Sequence, residues 1–598
     1  MAAALVTATV LALSTGWAEP VKLAVTPVEP TAMEKRGEVW FVDFGKDAYG
    51  NLQLTFPGEA PAATLAVRLG EKLDASGAID RQPPGSVNFR ELTLVTHPGQ
   101  LVYKLNIPSK PAHLKPGAVG TPPDIGEVTP FRYAEIEGYT QPLDKSEVRQ
   151  LFVHAPFDEQ ASSFESSDPT MNAVWNLCKH TMKATTAFGL YIDGERERVP
   201  YEGDAYINML SHYACDLDPR VAHETLEYLL KHPTWPTEWS LHMPMMAAAD
   251  YEATGDPAPA ARNYDALKKK LLMGKARADG LLRAGAIVDW PEGERDGYNN
   301  GQKFPGDRQL GPEYNTVVNA FYYHALQGMT ALAKALDKPD EARELEAKAK
   351  QVYTSFNANF FDAARGLYTD GEGSQHASMH ANLFALDFGL VPANRQAKVA
   401  DFVESRGMAC SVYGAQYLLE TMFQAGKDDY ALQLMTAKGD RSWPHMIELG
   451  STMTLEAWDA KFKPNLTWNH AWGAAPANIM SRFVLGVRPL QPGYRKLLIA
   501  PQPGKLSWVR GKVPTPRGPV VVKVENSGSF KLEVEIPADT TARLAIPRAD
   551  GASAWLDGKQ VAVAPDGLFS TVDNVPPGHH VLERRSPCRR LPRLRFVN

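Results

Sequence analysis

Residues Tyr314–Leu336, YNTVVNAFYYHALQGMTALAKAL, and Asp340–Phe361, DEARELEAKAKQVYTSFNANFF, decide the architecture of this chain. Both halves carry apolar residues at three-and-four spacing, the period of a helix with one buried face. The short Asp337-Lys338-Pro339-Asp340 turn between them makes the pair a helical hairpin. Helical patterning continues over some 320 residues, from about Phe164 to Leu485, which predicts a helical barrel assembled from hairpins.

On either side the period changes. Between about Glu38 and Asp158 the short runs EVWFVDF, LQLTF, ATLAVRL, QLVYKLNI and VRQLFVHA alternate with Pro/Gly-rich turns, the pattern of an all-β sandwich. After Leu485 strands return in KLLIAP, VVVKVE, FKLEVEIP, ARLAIP and SAWLDG, predicting a second sandwich. Neither flank shows a solenoid repeat. The expected organisation is therefore an N-terminal β-sandwich over 19–163, helices over 164–485 and a C-terminal β-sandwich over 486–583.

The ends are different in kind. Residues 1–18, MAAALVTATVLALSTGWA, read as a secretory signal, with small residues at Gly16 and Ala18 before Glu19, although no Lys or Arg precedes the apolar run. The run is too short and too weakly apolar to span a bilayer, so a periplasmic or secreted location is expected. At the other end six arginines and two prolines crowd residues 584–598, which read as a disordered tail. The four cysteines, Cys178, Cys215, Cys410 and Cys588, are widely spaced without a CxxC; neither a disulfide framework nor a zinc site is implied, and most are expected to be buried free thiols.

Composition excludes several classes of partner. At 598 residues the chain exceeds a single core, and 44% hydrophobic with 22% charged residues describes an ordinary globular protein. A net charge of −6 supplies no bulk attraction for nucleic acid or anionic lipid. Twelve Trp and twenty-one Tyr are plentiful enough to stack on sugars, although core packing is their commonest role.

One stretch is chemically dense beyond what folding requires. In IDGERERVPYEGDA, Ile192–Ala205, the carboxylates Asp193, Glu195, Glu197, Glu202 and Asp204 are interleaved with Arg196, Arg198 and Tyr201. Pro200 and Gly203 resist a continuous helix, so the acids are displayed on a shaped loop before a helix starting near AYINMLSHY, where Asp204 is also suited to N-capping.

This segment resembles glycoside hydrolase family 78, the inverting α-L-rhamnosidases. Asp193, Glu197, Tyr201 and Gly203-Asp204 fall on the family's acidic motif. TPFRYAEIEG (Thr129–Gly138), SFESSDPTMNAVWN (Ser163–Asn176) and STMTLEAWDAKFKPNLTWNHAWGAAPANI (Ser451–Ile479) resemble further segments in the same order, over roughly 350 residues. Gly194-Glu195 stands where many members have Cys-Pro, and Tyr201 where many have Trp, departures that bear on the sugar more than on the reaction. The resemblance implies an (α/α)6-barrel catalytic domain between two β-sandwiches, acting on a rhamnose-containing glycan or glycoside.

A glycosidase of this kind needs one carboxylic acid to protonate the leaving oxygen and one carboxylate to activate water on the opposite face. Glu197, seven residues before Asp204, is implied as the acid, against the alternative of a surface Glu paired with Arg196 or Arg198. Glu456 in TLEAW is the candidate base, with Glu448 as rival and a helix-surface position opposite Lys461 as the plain alternative. The resemblance assigns Asp193, Asp204 and His470 to sugar contacts and makes Trp239 and Trp290 candidate pocket walls; Asp289 either bonds a hydroxyl or holds its turn. No second His or Cys lies at a metal-ligand spacing from His470, and no cofactor is implied. Rival readings are another inverting hydrolase on a helical barrel, such as a trehalase or glucoamylase-like enzyme, a non-catalytic carbohydrate-binding protein, and a polysaccharide lyase.

Overall fold

A computed structural model describes residues 21–56, 63–306, 309–548 and 553–585. The expected signal segment, Cys588 and all of the basic tail beyond Arg585 lie outside the described residues.

The hairpin read first is present as Thr316–Ala335 and Pro339–Asn359. Asn315 caps the first helix by accepting the Val318 N–H at 3.0 Å, and Pro339 opens the second. The second helix buries only Ala342, Leu345, Ala349, Val352 and Phe356, a single stripe at alternating spacings of three and four, and so packs by one face. By contrast Glu238–Thr254 is buried along nearly its whole length, as a helix surrounded by others must be. Six helices close a ring in which each touches the next and the last touches the first: Glu202–Cys215, Glu238–Thr254, Thr316–Ala335, Met379–Asp387, Gly414–Gln424 and Ala475–Ile479. Pro169–Ala184, Arg220–Lys231, Ala258–Lys270, Pro339–Asn359, Ala393–Ser405 and Asp428–Met435 each pack against members of that ring.

The N-terminal strands depart from the expected sandwich of two sheets. All eight belong to one hydrogen-bonded antiparallel sheet, because EVWFVDF and LQLTF are parts of a single strand, Val39–Thr55. Its pairing with Thr129–Glu137 shifts register between Asp43 and Ala48, around Gly45, whose φ of 81° suits glycine. The bend lets Val42 and Phe44 share one core with Leu52, Leu54, Leu65 and Val67, so the sheet curls round its own apolar interior.

Among the described residues the C-terminal strands form two sheets, of five and seven strands. The seventh strand of the larger sheet is Ser163–Ser166, which pairs antiparallel with Trp508–Val513, opposing Phe164 to Gly511. The expected boundary at 163/164 therefore cuts a strand that belongs with the C-terminal region. A Cβ on Gly511 would approach the Ser163 carbonyl oxygen to 2.5 Å, which keeps that position a glycine. Arg584 and Arg585, placed in the tail by composition, end strand Gly578–Arg585, and Arg584 Nη1 donates to the Pro547 carbonyl at 2.9 Å. One contiguous core joins the helices to both C-terminal sheets, while the N-terminal sheet keeps a core of its own. Cys178, Cys215 and Cys410 are free and buried. Among the described residues no helix is long and apolar enough to cross a membrane.

Candidate active site

The segment Ile192–Tyr201 folds as a compact loop. The Val199 N–H donates to Asp193 Oδ1 and the Arg198 N–H to the Gly194 carbonyl, both at 3.0 Å, with Gly194 at φ 98° and Arg198 at φ 56°. These turns divide the charges between the protein interior and the cavity. Glu195 and Arg198 point into the protein, where Arg198 pairs with Glu195 at 2.9 Å and Glu127 at 2.7 Å and donates to the Val128 carbonyl. Arg196 and Glu197 face a cavity of about 240 Å³. Glu202 is fully buried and bonds Thr234, a structural role.

Glu197 accepts the Tyr201 hydroxyl at 3.0 Å and meets Arg196 Nε at 3.3 Å; its side chain is 43% exposed. Glu456 comes from the irregular segment after helix Trp443–Glu448, not from a helix surface. Its carboxylate meets Arg196 Nη2 at 3.1 Å and Lys463 Nζ at 3.0 Å and accepts the Thr467 N–H at 3.1 Å. Lys461, once its expected neighbour, pairs with Asp440, and the rival Glu448 is exposed outside the cavity lining. Arg196 thus stands between the two glutamates, and both line the same cavity.

Asp204 is the third residue of helix Glu202–Cys215 and not its cap, a place taken by Tyr201. Its Oδ1 lies 2.8 Å from His470 Nε2, with both residues buried. Burial raises the Asp204 carboxyl to about 8 and lowers the His470 ring to about 3, which favours the uncharged form of both at neutral pH. Asp193 is pushed well above the ordinary carboxylate range, first by burial and then by Glu197 and Glu456.

The apolar wall is aromatic. Tyr201 stacks on Trp235 with centroids 5.3 Å apart and meets Trp239 edge-on at 5.8 Å. Gly203 lies under Trp239, where a Cβ would sit 3.3 Å from the indole, giving the Gly203-Asp204 dipeptide a packing reason. Trp290, 40% exposed, stands at the rim, and Trp472 packs on His470 at 4.4 Å.

Eight of the nine residues singled out in the sequence line this cavity: Asp193, Glu197, Tyr201, Asp204, Trp239, Trp290, Glu456 and His470. Asp289 does not. Its oxygens are occupied by His380 Nε2 at 2.7 Å, the Ser411 N–H at 2.9 Å, the Ser411 hydroxyl and the Trp290 N–H at 2.8 Å, so it holds its turn. Arg196, Trp235, Ile287 and Trp472 complete the lining and were not singled out. For Trp235 the signal was a second tryptophan in the irregular segment just before helix Glu238–Thr254, four residues ahead of Trp239.

Residues 159–484 match the bacterial alpha-L-rhamnosidase 6 hairpin glycosidase domain, and residues 486–559 match the bacterial alpha-L-rhamnosidase C-terminal domain. Curated relatives include an α-L-rhamnosidase of Alteromonas sp. (strain LOR), 24% identical over 477 residues, covering 71% of this chain and 49% of the relative. Another, from Streptomyces avermitilis, is 23% identical over 585 residues, covering 88% and 50%. The chain spans about half the length of the curated relatives it matches. Among solved structures, the α-L-rhamnosidase of Dictyoglumus thermophilum superposes with a TM-score of 0.77 at 17% identity, covering 95% of this chain and 64% of that one. The Streptomyces avermitilis α-L-rhamnosidase complexed with L-rhamnose gives 0.74 at 19% identity, covering 94% and 54%. With more than half of its length matched by the catalytic-domain family, the chain belongs to the bacterial α-L-rhamnosidases, glycoside hydrolase family 78.

Proposed function

We propose that this protein is an exo-acting, inverting α-L-rhamnosidase, exported from the cytoplasm, whose closed ring of helices is the inner wall of an (α/α)6 barrel. One observation carries the reading: Glu197 and Glu456, 259 residues apart in sequence, line one cavity with Arg196 between them. Glu197, the more exposed of the two, protonates the glycosidic oxygen as the C1–O bond breaks. Glu456 takes a proton from the water that attacks C1 on the opposite face. Asp193, Asp204 and His470 bond the sugar hydroxyls, and Tyr201, Trp235 and Trp239 supply apolar surface for the ring. A cavity of about 240 Å³ suits a single terminal sugar, which supports exo action.

The decisive experiment is proton NMR of the anomeric signals in the first minutes of aryl α-L-rhamnoside hydrolysis. β-Rhamnose should appear first, before mutarotation mixes the anomers. Initial α-rhamnose would overturn both role assignments, and absence of turnover would favour a carbohydrate-binding protein.

A further inference from the structure

Trp235 lines the catalytic cavity, and its neighbour Pro236 lines a second cavity of about 380 Å³. The same adjacency recurs at Gly285, which lines the second cavity, and Ile287, which lines the first; two extended residues place them within ~7 Å. The two cavities are therefore neighbours, meeting at Trp235-Pro236 and at Gly285 and Ile287.

The two cavities are chemically opposite. Four acids and one arginine line the first. The charged residues lining the second are Lys275, Arg277 and Arg283, with no carboxylate among the described residues that line it. Two rings complete it, each beneath a guanidinium: Arg277 lies 4.0 Å over Tyr314, and Arg283 5.2 Å over Phe304. Arg277 is committed to Asp279 and Glu372, which stand outside the lining, and so stiffens the wall. Arg283 gives only Nη2, to Glu313 at 2.8 Å, keeping its other donors free among the described residues. Lys275 is exposed and makes no side-chain hydrogen bond or ion pair among the described residues.

We propose that this cavity is a subsite for a uronate, a carboxylate-bearing sugar joined to the terminal rhamnosyl unit on its leaving-group side. Lys275 and the free donors of Arg283 hold the carboxylate through charge-assisted hydrogen bonds, and Tyr314 and Phe304 give the sugar ring apolar surface. A neutral sugar in the same place offers these donors hydroxyl oxygens but no opposite charge, and this difference sets the selectivity. The inference rests on the catalytic cavity being the rhamnosyl site.

The test compares two disaccharides of identical linkage, α-L-rhamnosyl-glucuronate and α-L-rhamnosyl-glucose. The protein should favour the uronide in kcat/KM by about tenfold at low salt, a ratio that shrinks at high salt because exposed charges are screened. Arg283→Gln should bring the ratio toward one and Lys275→Glu should invert it, whatever happens to the absolute rates. Equal kcat/KM for both substrates, or a ratio unmoved by Lys275→Glu, overturns the proposal. Calorimetric titration of D-glucuronate against D-glucose reads the subsite without turnover: the uronate should bind about tenfold more tightly, and only without Lys275→Glu. Should aryl rhamnosides prove inert, the rhamnosidase reading fails, while equal binding of the two free sugars would sink the subsite on its own.

Discussion

Asn469 and Glu195 are joined across 274 residues by one buried hydrogen bond, in which the Glu195 N–H donates to Asn469 Oδ1 at 2.8 Å. The same oxygen accepts the Tyr49 hydroxyl at 2.9 Å, and Asn469 Nδ2 donates to Glu71 at 2.8 Å. One amide therefore holds together the loop of Glu197, the segment of Glu456 and the N-terminal sheet. Gly194 is the residue that permits this approach, since a Cβ there would stand 3.0 Å from Asn469 Oδ1. Here lies a physical reason for Gly194-Glu195 in place of the Cys-Pro common in the family.

Asn469→Ala should accordingly destabilise the protein and slow it. It leaves a buried carboxylate oxygen, a hydroxyl and an N–H without partners, each at about 1–3 kcal/mol, so a loss of about 3 kcal/mol or more is expected. Denaturant midpoints and kcat measured on the same preparation check this. A variant with an unchanged midpoint would remove the amide from its tying role.

Glu197→Gln should lower turnover by ~10²- to 10⁴-fold on glycosides with poor leaving groups and less on activated aryl rhamnosides, which need little protonation. The thermal midpoint should barely move, because the side chain is 43% exposed and, among the described residues, bonds only Tyr201 and Arg196. A uniform loss across the leaving-group series would argue against proton donation.

For Asp204 the expectation concerns pH. Its carboxyl sits near 8 in the folded protein and near 4 when unfolded, so the native state holds the proton more tightly. Its contribution to stability is complete below about pH 4 and is lost as pH rises through about 8. Asn mimics the protonated form, so Asp204→Asn should gain stability relative to the unmodified protein across that window. Parallel melting curves from pH 4 to 9 would refute the raised value. Because the carboxyl is neutral at pH 7, the same variant should retain much of the affinity for rhamnose that a charged acceptor would lose.

The sequence carried the site further than it carried the topology. The stripe of Pro339–Asn359 and the spacing of Glu197, Tyr201 and Asp204 are local patterns, and both were readable. What escaped was non-local. Nothing around Asp289 announces His380 and Ser411, 91 and 122 residues further on. Arg196 and Arg198 look equivalent in an alternating run, and only the left-handed backbone at Arg198 sends one inward and the other to the cavity. The two runs of strand Val39–Thr55 looked separate because Gly45 and Gly50 read as a turn, whereas the chain merely bends there.

Strand Ser163–Ser166 has a consequence for how the chain comes apart. It precedes the first helix, yet its partner Trp508–Val513 lies beyond the last, so the sheet acts as a clasp across the whole catalytic region. Cutting the chain near 485 would strip that edge of its hydrogen bonds and lay open Leu485 and Val509, which belong to the interior shared by helices and sheets. Helices and C-terminal strands therefore share one interior and are expected to fold together. The N-terminal sheet has an interior of its own, yet Ala48, Tyr49, Phe152 and Val153 bury against Ala184, Phe188, Ile192 and Met453, so it too is seated on the catalytic region.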